Sequence, residues 1–473
     1  MNQHKYLPFD LIEEVFSHIP QSDVATISAC SQTSKSFRVE MQKRLFEFVK
    51  LDLSLICYKG ASTDPGPVRF TLGDISGDNR AQQLLWALTT NPDLASYVHI
   101  FRMTPTLRPP SAPDLALFPH KPTILDILPL LSKVKFFFFN AKLHASLPDY
   151  SLFSPRLRTA IRELLLRNRN SLLSVSITAA RIFPPKVLTH LPKLKSLSII
   201  SLSKQRVPVT EPLTRPPRQI RPEYLRIQSF CLHDYQTLSN LVELLQADVS
   251  NGTSALVSFS HLATLRLESP DASRETIKSL INATYPEILS ELSITAPHEA
   301  ITRYNMHPWT HLNVEYQEAP DFDLSRLSNL TNLVISGDLV GVPVQSPDHA
   351  STIVHSHCSW IGAILSTLSC PSPNTVSRLS LKVQLHLFRV FTVEDIPELP
   401  LAPVIDVITE KRRNGAINAA CVEFMVVELD DNDEKADIGS DHEQWKTEVN
   451  KLLKQHEAVR SSESFIEFKT VFM

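Results

Sequence analysis

LPKLKSLSI, Leu191 to Ile199, ends in strict alternation: Leu197 and Ile199 are apolar, while Ser196 and Ser198 are polar. A period of two is what a β-strand with one buried face requires. The same shape recurs along the chain, often introduced by Leu-x-x-Leu. It stands at Leu131-Ser-Lys-Val-Lys-Phe, Leu172-Leu-Ser-Val-Ser-Ile, His261-Leu-Ala-Thr-Leu-Arg-Leu and Ile288-Leu-Ser-Glu-Leu-Ser-Ile. Further on come His311-Leu-Asn-Val, Leu327-Ser-Asn-Leu-Thr-Asn-Leu-Val-Ile and Val376-Ser-Arg-Leu-Ser-Leu. Helical spacing fills several of the gaps. Ile161, Leu164 and Leu165 share one side of 157–168, and Leu238, Leu241, Val242 and Leu245 share one side of 235–249. Residues 273–283, 352–368 and 404–412 continue the series.

A lone strand–helix unit cannot bury its own apolar face, so neighbours must stack on it. The strands recur about every 20–28 residues in the tighter stretches, and about every 40 where insertions intervene. Residues 51–429 therefore resemble an irregular leucine-rich-repeat array. The resemblance implies an α/β solenoid with one curved parallel sheet and helices on the convex side. The asparagine ladder of regular repeats is mostly missing. An ordinary α/β sheet around one core is the alternative that the pattern leaves open. Residues 430–473 are expected to close the array, with an acidic loop from Asp430, a helix over 443–457 and the apolar end Phe465-Ile-Glu-Phe-Lys-Thr-Val-Phe. The proline-rich stretches 104–122 and 207–222 read as stiff insertions.

The chain has 473 residues, 43% hydrophobic and 21% charged, an ordinary balance for a soluble folded protein. Its formal net charge of -3 lacks the basic excess that nucleic-acid binding needs. No uncharged apolar run approaches the roughly 18 residues of a membrane span. MNQHKY at the start has no signal-peptide core. The expected setting is the cytoplasm or nucleus, where six irregularly spaced cysteines would stay reduced. Glycosylation acceptors at Asn251, Asn282 and Asn329 would then be idle.

Glycine numbers only 10, and no phosphate-cradling GxGxxG or GxxxxGK[ST] occurs. Gly73-Asp-Ile-Ser-Gly77 has its serine one place late for a nucleophile elbow and reads as a loop.

At the amino end, LPFDLIEEVFSHIP spans Leu7 to Pro20. Leu11, Ile12, Val15, Phe16 and Ile19 form one helical face, Pro8 suits the first turn, and Pro20 ends it. Ser22 is expected to cap a second helix carrying Val24, Ile27 and Cys30. Ser34 is expected to cap a third through Phe37, Met41, Leu45 and Phe46. Three short helices in so little chain can scarcely close a core alone. Some of their apolar surface should meet the rest of the chain or the groove of another protein.

Leu7-Pro8, Leu11-Ile12, Val15-Phe16, Ile19-Pro20, Asp23-Val24, Ile27 and the later Phe37-Arg38 stand in an order that resembles an F-box, with residues 1–50 as its span. Phe37 occupies a position where many members carry Trp. Gln82-Gln-Leu-Leu-Trp-Ala-Leu, followed by a strand over 98–103, looks like the helix and first strand that follow an F-box in fungal proteins. The strand would bury Val98, Ile100 and Met103.

The resemblance implies a non-catalytic substrate receptor of an SCF-type cullin–RING ubiquitin ligase. Leu7, Pro8, Leu11, Ile12, Val15, Phe16, Ile19, Pro20 and Ile27 would dock the Skp adaptor. Phe37, Leu45 and Phe46 would touch the adaptor or close the small core. The repeat region would hold an unknown protein target. A non-degradative F-box scaffold is the alternative, and an α/β hydrolase a remote one.

Candidate chemistry is sparse. His355-Ser-His357-Cys358 is the densest set of metal-ligand types, but it lacks the second spaced motif of a zinc site. If 352–368 is a helix, His355 and Cys358 share a face, and two ligands do not make a site. His233-Asp234 reads as a strand end and helix cap. Asp430-Asp-Asn-Asp-Glu-Lys-Ala-Asp lacks the glycine and distal glutamate of a calcium loop. No cofactor is expected.

Overall fold

The computed structural model describes residues 18–20, 23–58, 69–72, 80–108, 123–139, 155–178, 185–200, 220–228, 257–268, 274–296, 323–342, 352–356, 358–368, 376–388, 402–429, 447 and 466–472. The expected first helix up to Ser17, the helix over 235–249, His233-Asp234, the strand at His311, the acidic run from Asp430 and all but one residue of 443–457 lie outside them. The chain divides into two compact units: Met1–Ile200 with Val209–Ile220, and Ser201–Pro208 with Arg221–Met473. Among the described residues, no helix is long and apolar enough to cross a membrane.

The first unit begins with helices α1 (Val24–Thr33) and α2 (Lys35–Glu47). It continues through β1 (Phe48–Tyr58), β2 (Arg69–Leu72), α3 (Arg80–Thr90) and β3 (Ile100–Arg108). Then follow β4 (Phe136–Phe139), α4 (Pro155–Arg167), β5 (Ser174–Thr178) and β6 (Ser196–Ile200). The strand order is β6-β5-β4-β3-β1-β2. All these neighbours pair in parallel except β2, which runs antiparallel on β1.

Alternation decides what faces inward. Val49, Phe101, Phe137, Val175 and Leu197 are register partners in turn, and all are buried. Leu51, Met103, Phe139, Ile177 and Ile199 make the adjacent buried column. Phe101 and Phe137 stack with centroids 6.3 Å apart. Val98 and Met103 are buried as expected, whereas Ile100 is half-buried and its neighbour Phe101 is the fully buried one. Residues 104–108, read from their prolines as a stiff insertion, extend β3 along β1. Pro105 is accommodated in that ladder, where a missing N–H is the cost.

A backbone device recurs at the strand starts. The carbonyl of His99 accepts from the N–H groups of both Lys135 and Phe136. The carbonyl of Lys135 accepts from Leu173 and Ser174, and that of Leu173 from Lys195 and Ser196. Each strand thereby sets the level of the next.

One buried polar side chain ties α4 into this arrangement. Asn168 is 1% exposed. Its Oδ1 accepts from Val134 N–H at 2.8 Å, and its Nδ2 donates to the carbonyls of Leu131 and Leu164 at 3.0 and 2.8 Å. Asn168→Leu keeps the branching at Cγ but strands the Val134 donor and the Leu131 acceptor, each at about 1–3 kcal/mol. Thermal unfolding should therefore begin several degrees lower in this variant. An unchanged melting temperature would show those groups to be satisfied otherwise.

The second unit holds β7 (Tyr224–Gln228), β8 (Thr264–Glu268), α5 (Arg274–Ala283), β9 (Glu291–Thr295), β10 (Asn332–Val342) and β11 (Thr352–Ser356). It ends with α6 (Cys358–Ser366), β12 (Arg378–Phe388), α7 (Ala402–Arg413), β13 (Ala420–Leu429) and β14 (Ile466–Phe472). The order is β14-β13-β12-β10-β9-β8-β7, parallel between described neighbours, with β11 antiparallel on β10. Leu225, Leu265, Leu292, Leu333 and Leu379 form one buried column. Ile227, Leu267, Ile294, Ile335, Leu381 and Val422 form the next. The carbonyls of Glu223, Ala263 and Ser290 repeat the double-acceptor device.

The expected helix over 352–368 is two elements. Thr352–Ser356 pairs as β11, where β-branched Thr352, Ile353 and Val354 suit an extended backbone. The helix starts only at Cys358, so His355 and Cys358 fall on different elements. Helix α7 closes as its sequence demands. Gly415 takes φ 77°, Ala416 N–H bonds Lys411 C=O at 2.8 Å and Gly415 N–H bonds Arg412 C=O at 3.0 Å, a Schellman closure. Lys411 Nζ also donates to the Ser366 and Leu368 carbonyls at 2.6 Å, satisfying the end of α6.

Candidate protein-docking module

Two short caps set up the amino-terminal helices. Asp23, rather than Ser22, caps α1: its Oδ1 accepts from Thr26 N–H at 3.1 Å. The Thr26 side-chain hydroxyl first, and then this N–H, hold the Asp23 carboxyl below its usual range. Asp23 N–H in turn bonds the Pro20 carbonyl at 2.9 Å, which fixes the turn into the helix. Ser34 caps α2 as expected, accepting from Phe37 N–H at 3.2 Å.

The core between α1 and α2 is small. Ile27 and Met41 are buried, and Ile19, Cys30, Phe37 and Leu45 pack around them partly buried. At about 1.5–3 kcal/mol per buried large apolar residue, these two help to hold α1 on α2. Further support comes from the same chain. α2 packs on the turn Pro92–Tyr97, whose Leu94 and Ala95 are buried, and it runs directly into β1. The Glu47 carbonyl at its end accepts from His99 N–H at 3.1 Å.

Of the twelve residues expected to meet an adaptor, Leu7, Pro8, Leu11, Ile12, Val15 and Phe16 lie outside the described residues. Pro20 is exposed, and Ile19, Phe37, Leu45 and Phe46 are half-buried. Ile27 is 1% exposed, so it fills the core of the module and offers no free surface. Val24, Val39 and Phe48 are exposed. In α3, Leu88 is buried while Leu84 and Leu85 are half-buried, and Trp86 points to solvent.

His99 sits where the module meets the sheet. Burial pushes its pKa below the usual value of about 6.5, the Lys135 cation adds to the shift, and Glu47 opposes it. The folded state therefore favours the neutral ring. Stability from this group is complete above the unfolded pKa and is lost as pH falls through the folded one. Acidification below about pH 6.5 should lower the melting temperature more in the wild type than in His99→Gln. Parallel pH profiles for the two proteins would remove His99 as the cause.

The second unit presents a polar sheet face opposite its buried columns. Arg226 pairs with Glu268 and Arg266 with Glu291, while Lys382 lies 3.8 Å from Glu423. Burial raises the Tyr224 and Cys421 pKa values, so both groups stay protonated at neutral pH and Cys421 is no ready nucleophile. Among the described residues, no three His, Cys, Asp or Glu side chains gather as a metal site. Tyr224 and Arg226 escaped the sequence reading because β7 lacks the Leu-x-x-Leu introduction, whereas Arg266 stands in the strand read from His261. The alternation of Leu225 and Ile227 was the available signal.

Residues 6–39 match the F-box domain, which supports an F-box protein. The match spans the turn at Pro20, all of α1 and the first part of α2. F-box domains bind the Skp adaptor within cullin–RING ligases and in general mark non-catalytic substrate receptors. No curated protein matches the chain.

Proposed function

We propose that this chain is the substrate receptor of an SCF-type ubiquitin ligase. Leu7, Pro8, Leu11, Ile12, Val15, Phe16, Ile19 and Pro20 dock the Skp adaptor, and Ile27 and Met41 hold the helices that present them. The carrying observation is the F-box match over residues 6–39. The remainder acts as a leucine-rich-repeat-like array that holds the target. In-register apolar columns and the repeated double-acceptor carbonyls support that reading. Ubiquitin transfer then follows from proximity, as the receptor raises the target lysine's effective concentration beside the charged conjugating enzyme. The test is co-purification of the full-length chain with recombinant Skp adaptor, and failure to associate at micromolar concentration would overturn the proposal.

A further inference from the structure

Two cations stand side by side on the polar face of the second unit. Arg226 of β7 and Arg266 of β8 are register partners. Their strands are spaced by about 4.8 Å, so uncompensated guanidinium groups there would repel. Each is answered by a carboxylate from the next strand. Arg226 Nε and Nη2 donate to Glu268 Oε2 at 3.0 and 2.5 Å, and Arg266 Nε and Nη2 donate to Glu291 Oε1 at 2.9 and 2.6 Å. Glu268 is level with Gln228, and Glu291 with Thr264, so the two side chains turn opposite ways along the strands. Arg266 also lies over the Tyr224 ring, 5.6 Å from its centroid.

These bonds orient both side chains and leave an edge of each unused. Among the described residues, neither Nη1 group nor the Tyr224 hydroxyl has a hydrogen-bond acceptor. The side chains of Arg226 and Arg266 are 31% and 37% exposed, so neither is sealed from solvent. An arginine fixed by one carboxylate is prepared to bind a second oxygen acid with little further loss of freedom.

We infer that these two guanidinium edges and the Tyr224 hydroxyl dock an extended acidic segment of the target protein, one carboxylate to each edge. In an extended chain, alternate residues project to one side about 6.8 Å apart. Two arginines turned apart by one row of side chains each way span two such repeats, the spacing of residues four apart on that side of an extended chain. Two arginines and two glutamates sum to zero charge, so capture depends on directed hydrogen bonds rather than on long-range attraction. The inference rests on the receptor reading above and gives its target a chemistry.

The test is fluorescence anisotropy of the full-length chain with a labelled peptide of alternating glutamate and alanine, against its glutamine counterpart. The glutamate peptide should bind at least tenfold tighter. Arg226→Lys combined with Arg266→Lys keeps both charges but loses the oriented edges, and should remove that preference without shifting the melting temperature. Equal binding of both peptides, or a full preference in the lysine variant, would overturn the inference. So would a phosphoserine counterpart that binds more than tenfold tighter, because the acceptor would then be phosphate. Adaptor co-purification is measured on the same preparations. Retained adaptor binding without peptide preference sinks this inference alone, and lost adaptor binding with the preference intact sinks the receptor reading alone.

Discussion

Phe16→Asp is expected to abolish co-purification of the Skp adaptor with the full-length chain while leaving its melting temperature unchanged. Phe16 is spaced in the sequence to share one helical face with Leu11, Ile12, Val15 and Ile19, within the F-box match. A large apolar side chain at the centre of an interface contributes at least about 2 kcal/mol, and a carboxylate left in an apolar groove adds a desolvation cost. Together they predict a loss of about a hundredfold or more in affinity. Leu7→Ala with Pro8→Ala should weaken binding in the same direction by a smaller factor. Ile27→Ala is the informative contrast. It removes half of the buried pair Ile27–Met41 and should destabilise the module by about 2–4 kcal/mol. Adaptor binding would then fall together with local stability, detectable as faster amide exchange in α1. Undiminished binding by Phe16→Asp, or a loss fully explained by unfolding, would remove this face as the docking surface.

The strands were legible because their signal is local. Val175 and Ile177, Leu265 and Leu267, and Leu292 and Ile294 alternate with polar residues, and each group is a strand with those residues buried. The helices that end on strong punctuation were legible too: α7 stops at Asn414-Gly415, and α2 begins after Ser34. What failed depends on partners distant in sequence. Thr352–Ser356 is a strand because β10 extends far enough to pair with it. Phe101 rather than Ile100 is fully buried because the β3 register is fixed on both sides, by Phe137 and Val49. Asp23 displaced Ser22 as the cap because either residue can accept the same backbone bond, and one residue of helix start decides between them. The docking module was legible as a pattern of residue types. The Arg226 and Arg266 cluster was not, because its geometry arises from pairing among three strands that are far apart along the chain.

Phe137→Ala should be the most damaging single truncation in the first unit. Phe137 is fully buried between Phe101 and Val175 in the inward column and stacks on Phe101. Losing a buried phenyl ring typically costs about 3–5 kcal/mol, because the lost transfer energy is joined by a cavity that the β-ladder cannot close. For a unit of this size each kcal/mol moves the midpoint by about 2–4 °C, so the transition should fall by about 6–20 °C. The adjacent residue supplies the control. Phe138 points to the other face, half-buried, with Arg102 over its ring at 5.9 Å. Phe138→Ala removes that exposed cation–π contact, worth about 0.5–1 kcal/mol, and little packing. Neighbours in sequence that differ severalfold in cost are the signature of a one-faced strand, because a slip of one residue exchanges the two faces. Equal losses for Phe137→Ala and Phe138→Ala, measured by chemical unfolding, would mean that both faces of β4 are packed and that no free sheet face exists there. A large loss confined to Phe137→Ala would leave the Phe138 face as the unpacked one.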